Sequence, residues 1–437
     1  MTFRSKDTVE QALCHLFPSA WLEAQAQQTG LVQRQRKIHP TALFWTLVLS
    51  FGIGKARNLA LLRRAYEAAT GTLLSASSFY ERFTATLVLF LQQACARALG
   101  QLEGASLRLT GALSAFEDVL ISDATVLRLH DLLKSTYAAC RTNHTQAAAK
   151  LHVVLSVLGL SEQKIKVTGE RQHDAHVWTI GPWVRGRLLL FDLGFFWYAL
   201  FARIVQQGGF FISRLKEGSN PTIVAVYQGD GTQLIGQSLQ TALLSIRRPI
   251  LDVQVAVTYK KRAYGGKRRT ATQYLRLVGI KNLLTGTYHL YLTNILPEQL
   301  GAQAIAQVYA ARWLVELLFK ALKSFYQLEG FPSQNRYVVQ ALIYAAVITL
   351  LVSRHLEQAL RRLLAAHQAE EETDNQLAFP LLRLAAVLTP LSAPLLWAVL
   401  QQAGLRRAPL SLTALILKEA QDPNQQRDSI LRRLQNI

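Results

Sequence analysis

The segment Val119-Leu-Ile-Ser-Asp-Ala-Thr125 begins with three apolar residues and passes through Ser122 into an aspartate. Apolar residues without alternation read as a strand buried on both faces. The carboxyl end of such a strand is where open α/β sheets build their sites. Leu188-Leu-Leu-Phe-Asp192 repeats the arrangement, and Val153 to Leu158 and Phe210 to Ile212 are further runs of the same kind. The expectation is a central sheet covered by helices, with at least part of its pairing parallel. An ionised aspartate beside so much apolar surface needs a partner or a metal. Taken singly, Asp123 and Asp192 are also read as turn residues that end strands. Asp131 and Asp174 are rival carboxylates, but neither follows an apolar run, so both rank lower.

Outward from these runs the texture changes. From Val9 to about Leu102 apolar residues recur at spacings of three and four, as in Leu43, Leu47, Phe51 and Leu59, Leu62, Tyr66. This predicts a helical region over 1–105. It carries a basic string, Arg34, Arg36, Lys37, Lys55, Arg57, Arg63 and Arg64, read either as phosphate contacts or as a solvated helix face. The α/β core occupies 106–216 and resumes at 301–335. Between them, 217–300 alternates, as in Val253, Val255, Val257 and later Tyr274, Leu275, Leu277, Val278, and reads as an all-β insertion. Within it, Tyr259 to Thr270 sets Lys260, Lys261, Arg262, Lys267, Arg268 and Arg269 around a Gly-Gly hairpin turn with two tyrosines beside them. Such a ribbon suits gripping a nucleic-acid backbone and stacking on bases, and the plain alternative is a soluble hairpin tip. Residues 336–437 read as helical, broken at the acidic stretch Glu370 to Asp374, and are the expected dimer contact. The fold class is thus α/β, a core with a mixed sheet, interrupted by a β-rich insertion and flanked by all-helical regions.

Composition narrows the partners. The 437 residues hold 48 Lys and Arg against 28 Asp and Glu, a net charge of +20. Only 17% of residues are charged, against about 25% in ordinary soluble proteins, so the chain can bury a large interior. Charge so scarce and so one-sided points to polyanions, nucleic acid or an anionic membrane, and excludes small neutral ligands as its reason. Cys14, Cys95 and Cys140 lie far apart with no CxxC pair, so neither disulfides nor a structural zinc site is expected and a reduced cytoplasm fits. Met1 to Glu10 is polar and shows no secretory signal. The apolar runs Leu43 to Ile53 and Val338 to Val352 fall short of the roughly 18 residues of a membrane span and read as core helices, so no membrane partner is expected.

The third chemical element lies on a helix expected over Gln307 to Tyr326. At 100° per residue, Tyr309, Arg312, Glu316, Lys320 and Lys323 fall within an arc of about 80°. Val308, Leu314, Val315, Leu318, Phe319, Leu322 and Phe325 wrap the rest, so the polar stripe faces a cleft. A simple salt-bridge ladder of Glu316 with Arg312 and Lys320 would contribute only about 0.2 to 0.5 kcal/mol per pair and would not need so wide an apolar surround. Two aspartates on adjacent strands and a glutamate on a covering helix make a hard, anionic, all-oxygen pocket suited to Mg²⁺. Two such ions, about 3.5 to 4 Å apart, serve in-line phosphoryl displacement. Arg312, Lys320 and Lys323 would hold phosphates beside them, and Tyr309 would stack or hydrogen-bond at the strand.

These residues resemble the bacterial insertion-sequence transposases of the DDE type. The matching pieces are Asp123-Ala-Thr125, Asp192-Leu-Gly-Phe195, Tyr291-Leu-Thr-Asn-Ile-Leu296 and Tyr309-x2-Arg312-x3-Glu316-x6-Lys323, the last similar to the Y-R-E-K signature of the IS-four branch. The resemblance spans roughly Arg36 to Gly330. It implies an RNase H-like catalytic core, metal binding by Asp123, Asp192 and Glu316, with two Mg²⁺ ions or Mn²⁺ in their place, and strand contact by Tyr309, Arg312 and Lys323. It also implies cleavage and strand transfer of double-stranded DNA, by a cut-and-paste route through a hairpin at the element end. Leu193 departs from the pattern, since many relatives carry a polar or basic residue there. Pairing of two DNA ends favours a homodimer. The competing readings are a structure-specific nuclease, a decayed DNA-binding copy and a membrane-associated helical protein.

Overall fold

The computed structural model describes residues 8–405 except 35–36, 53–56, 103–108, 110, 141–144, 158–161, 230, 261–268 and 369–378. Arg36, Lys55, Lys261, Arg262, Lys267, Arg268 and the acidic stretch Glu370 to Asp374 lie outside the described residues. Six helices come first, α1 (Val9–Leu16), α2 (Ser19–Gln28), α3 (Pro40–Leu49), α4 (Leu59–Thr70), α5 (Ala76–Tyr80) and α6 (Ala85–Leu102). The expected all-helical start is therefore present. There follow β1 (Val119–Leu129), β2 (Ala147–Ser156), β3 (Glu162–Gly169), β4 (Leu188–Phe191), α7 (Tyr198–Gln206) and β5 (Phe210–Arg214). Next come β6 (Thr222–Val226), α8 (Leu239–Ser245), β7 (Ile250–Lys260), β8 (Thr270–Lys281) and β9 (Tyr288–Thr293). The chain then forms α9 (Ala302–Ala310), α10 (Trp313–Ser324), α11 (Arg336–Gln368) and α12 (Leu381–Gln402).

The nine described strands make one sheet in the order β3-β2-β1-β4-β5-β9-β8-β7-β6. β1, β4 and β5 pair in parallel, and the other neighbours are antiparallel. The parallel centre lacks alternation, and so does the run beginning at Val153, which belongs to the antiparallel β2. The residues of the centre nonetheless divide by parity: Val119, Ile121, Leu188 and Leu190 enter one core with α3, α6 and α9 to α12, whereas Leu120, Leu189 and Phe191 enter a second core with α7 and α8. A strand with a core on each face has no side that tolerates polar residues.

Three expectations need correction. Asp123 does not end its strand, because β1 continues to Leu129 along β2, from Leu120↔Ser156 to Leu129↔Ala147. What ends beside Asp123 is the parallel partner, whose last pair is Ser122↔Phe191. Residues 217–300 are neither all-β nor set apart, since they contain α8 and β9 pairs with β5 at Ile212↔Thr293. The open edge of a parallel strand needs hydrogen-bond partners, and β9 supplies them. Of the two apolar runs expected to be too short for a span, the one starting at Leu43 does lie in a short apolar helix, Pro40–Gly52, whereas Val338 to Val352 belongs to Arg336–Leu364, which, like Leu381–Gln402, is long and apolar enough to cross a membrane by length and composition. In this fold 78% of the apolar window of α11 is buried, as in a core helix, and α12 packs on α1, α3, α4 and α10.

Arg57, read as a phosphate contact or as part of a solvated helix face, is neither: it is among the largest fully buried side chains. Its guanidinium donates to the Leu47 carbonyl in the last turn of α3, to the Tyr326 carbonyl (3.2 Å) and to Thr349 Oγ1 of α11 (2.8 Å). Burial pulls its pKa down to about 9, which still leaves it charged at neutral pH. Carbonyls at a helix C-terminus are a suitable counter-dipole for such a cation. Arg57→Ala should lower the unfolding free energy by about 2 to 4 kcal/mol, because it strands buried acceptors. Arg34→Ala, at an exposed position, should stay within about 0.5 kcal/mol in the same urea titration.

Candidate active site

The site follows from register. In the pairing of β1 with β4, Ile121 faces Leu190 and Ser122 faces Phe191, so Asp123 and Asp192 are the next residues on each chain. Both share the parity of Ile121 and Leu190 and so point to the face covered by α9 and α10. Two carboxylates arrive side by side with no help from their own side chains.

The helix expected over Gln307 to Tyr326 is two helices, α9 and α10, with Ala311 and Arg312 in a tight turn between them. Arg312 N–H donates to the Tyr309 carbonyl and Val315 N–H to the Arg312 carbonyl, three residues back rather than four. The tightening redirects the chain at Arg312. Its guanidinium lies between Glu316 Oε1 (2.6 Å) and Asp123 Oδ2 (3.4 Å), a bridge from α10 to the sheet. Burial pulls Arg312 down, but Glu316, Tyr309, Asp192 and Asp123 more than reverse this and leave it above its ordinary value.

Asp123 pays for its surroundings. Burial, offset partly by the 2.7 Å bond from Ala124 N–H and reinforced by the charges of Asp192 and Glu316, raises its pKa from 3.8 to about 6. Tyr309, expected at the DNA, is buried, and burial raises its hydroxyl to about 12. That hydroxyl donates to the Phe191 carbonyl at 3.1 Å, so it braces the strand end before Asp192. Lys323 is also engaged within the protein, with Nζ 2.5 Å from Glu329 and 3.3 Å from the Val126 carbonyl. Lys320 is exposed, as are Lys260 and Arg269 at the ends of the β7–β8 hairpin, where Lys260 pairs with Thr270.

Sequence reasoning missed several groups. Arg214 follows Ser213, the partner of Phe191, and so lies one strand over from Asp192 as an exposed cation that acts on Tyr309. The logic applied to Asp123 and Asp192, a charged residue ending an apolar run, would have found it. Arg276 forms a buried bidentate pair with Asp252 (2.7 Å twice) and donates to the Ile295 and Leu300 carbonyls, fixing the connection into α9. Asn294 ties the same connection to β5 through Phe211 N–H and the Gly209 carbonyl. Away from the carboxylates, a polar cleft is lined by Arg34, Lys37, Ser78, Arg82, Thr84 and Thr86.

Among the described residues no group of three or more His, Cys, Asp or Glu side chains is placed to hold a metal ion, and a guanidinium stands between two of the three carboxylates. The donor chemistry nevertheless suits a hard divalent cation: the carboxylates are partly buried, mutually repelling and all-oxygen. The sheet thus brings two aspartates into register beneath a glutamate-bearing helix. A family model described as "Transposase DDE domain" matches residues 114–352. The chain belongs to that family. It is 24% identical over 409 residues to the transposase for insertion sequence element IS231B of Bacillus thuringiensis subsp. berliner, covering 83% of this chain and 82% of that protein. It is 24% identical to the IS231D transposase of B. thuringiensis subsp. finitimus, covering 86% and 84%. The putative transposase InsL of IS186A from Escherichia coli K12 is 23% identical, covering 79% and 92%.

The raised pKa of Asp123 gives a signed prediction. Above about pH 6 the folded chain carries a charge it disfavours, whereas below 3.8 both folded and unfolded chains are protonated and the cost vanishes. Asp123→Asn should therefore stabilise the protein by about 1 to 3 kcal/mol in EDTA near neutral pH. Urea titrations at lower pH should show that gain shrinking through pH 6 and gone below 4.

Proposed function

We propose that this chain is a DNA transposase that binds the terminal inverted repeats of its element, cleaves there with divalent metal ions and joins the freed 3′-hydroxyls to target DNA. The observation that carries the reading is the in-register placement of Asp123 and Asp192 on parallel strands, with Glu316 tied to Asp123 through Arg312. The core of β1 to β5 with α9 and α10 is read as RNase H-like, with 217–300 its β-rich insertion and the helices before and after it as DNA-binding and dimerising regions. Asp123, Asp192 and Glu316 would hold two Mg²⁺ ions, with Mn²⁺ as an alternative. When bound, these supply Lewis-acid activation of a water or 3′-hydroxyl and of the leaving oxygen.

The chain's own groups do the rest. Arg312 offsets part of the charge of Glu316 and Asp123 and carries a planar donor set suited to a phosphate. Tyr309 fixes the carbonyl before Asp192 and thereby the direction of that carboxylate. Arg214 and Lys320 provide exposed cations at the rim, and Lys260 and Arg269 stand at the base of the basic hairpin. The cleft of Arg34, Lys37 and Arg82 supplies a second cationic surface in the helical region. The double-stranded DNA partner follows from this charge and from the family. A homodimer follows from the need to pair two ends.

Glu316→Gln keeps the size and most hydrogen bonding of the side chain and removes the charge. It should abolish metal-dependent end cleavage while end binding in a gel-shift titration stays within about twofold of wild type. Cleavage retained by this variant would overturn the site assignment.

A further inference from the structure

Behind the carboxylates, on the opposite face of the sheet, one short segment touches the strand that carries Asp123 and the turn that follows Asp192. Ser122 precedes Asp123 and has the opposite parity, so its hydroxyl points away from the site, where it accepts from Trp178 Nε1 at 3.1 Å. Ser122 is 1% exposed, so this partner is not exchanged for water. Four residues earlier, Asp174 meets the other strand end. A Cβ built on Gly194, two residues past Asp192, would lie 3.0 Å from Asp174 Oδ2. The short turn Asp174–His176 packs on the turn Leu193–Phe195 that follows Asp192.

The segment is itself held. Lys150 Nζ of β2 is 3.0 Å from Asp174 Oδ1, and Lys166 Nζ of β3 donates to the Val177 carbonyl at 3.4 Å. His152, fully buried between them, bonds Thr168 Oγ1 through Nε2 (2.9 Å) and faces Asp174 Oδ1 across 3.6 Å. His176 sets its ring edge-on to Trp197 at 4.5 Å, just beyond the Asp192 turn. The bracket therefore has two anchors on β2 and β3 and two contacts, one beside each aspartate.

We propose that residues 174–178 are a positioning bracket that fixes the spacing of the Asp123 and Asp192 carboxylates from behind, with Trp178 and Asp174 as its positioning residues. The proposal rests on the assignment of those aspartates as the metal-holding pair. The β1–β4 register ends at Ser122 and Phe191, so the last step of backbone that aims each repelling carboxylate lies beyond the parallel pairing, where the bracket acts. Groups that orient metal-holding side chains from behind typically change metal affinity or rate by about 10- to 100-fold when removed. Ala175 and Trp178 belong to the core of α7 and α8, on the face opposite the carboxylates. Trp178 can reach the chemistry only through backbone placement, whereas Asp174 also adds its charge near the Asp192 turn.

The test uses the full chain with Trp178→Phe, which keeps a ring but no donor, and Asp174→Asn, which keeps size but not the charge held by Lys150. Three readouts are taken: Mg²⁺-dependent end cleavage, Mn²⁺ binding followed by electron paramagnetic resonance, and end binding in EDTA. Each variant should lose about 10- to 100-fold in cleavage and bind Mn²⁺ about tenfold more weakly, with end binding unchanged and the thermal midpoint lowered by only a few degrees, so that the chain stays folded at the assay temperature. Gly194→Ala should also impair cleavage, and adding Asp174→Ala to it should cost less than Asp174→Ala costs alone, a non-additivity expected of touching groups. The bracket is overturned if both single variants keep wild-type Mn²⁺ affinity and cleavage while Glu316→Gln loses cleavage. It is equally overturned if activity falls only in step with the thermal midpoint at unchanged Mn²⁺ affinity. Cleavage retained by Glu316→Gln would remove the carboxylate assignment itself, and the bracket with it.

Discussion

The parallel hydrogen bonds that set Ser122 opposite Phe191 determine where every group at the carboxylate site stands. Strand parity is fixed at two, so a slip of one residue in that register would turn Asp192 into the α7 core and leave Asp123 alone. The register is enforced from both sides. Val119, Ile121, Leu188 and Leu190 fill one core, and Leu120, Leu189 and Phe191 fill the other, so no shifted pairing buries the same surface. The apolar runs are thus the means by which two aspartates are brought together.

Bringing them together costs free energy, and much of the surrounding structure answers that cost. Arg312 spans Glu316 and Asp123 because the chain tightens between α9 and α10 and swings the guanidinium over the sheet. The position of α9 depends in turn on Arg276 and Asn294, which bind the 294–300 connection to the sheet by backbone carbonyls and amides. The pair of Arg276 with Asp252 is buried and bidentate, a geometry that recovers part of the desolvation its charges incur. Arg312 is in effect a resident counter-ion. A divalent cation would compete with it for the same oxygens, which leaves its donors free for a phosphate.

Much of this was legible in the sequence because it lies in local pattern. The unbroken apolar runs marked the buried strands, three of them parallel and β2 antiparallel, the 3.6-residue spacing gave the helical ends, and the spacing of Tyr309, Arg312, Glu316 and Lys323 placed them on neighbouring turns. The fates of individual polar residues were not legible, because these depend on partners far away in sequence. Arg57 looks like its basic neighbours, yet it finds acceptors at Leu47, Tyr326 and Thr349. Tyr309 has the spacing of a strand contact and instead supports Phe191. Asp174 was ranked low for want of an apolar run before it, and its contacts with Lys150 and Gly194 become visible only once β2 and the Asp192 turn are adjacent. The break at Ala311 and Arg312 left no mark either, since neither residue disfavours a helix.

The most direct test of the account is to incubate the purified protein with a supercoiled plasmid carrying the element and its flanks, in Mg²⁺ and in EDTA, and to map the cut positions. The account predicts metal-dependent cuts confined to the element ends, with those ends joined to a target plasmid when one is supplied. Cuts scattered without regard to the ends, or tight end binding with no cutting in either Mg²⁺ or Mn²⁺, would contradict it.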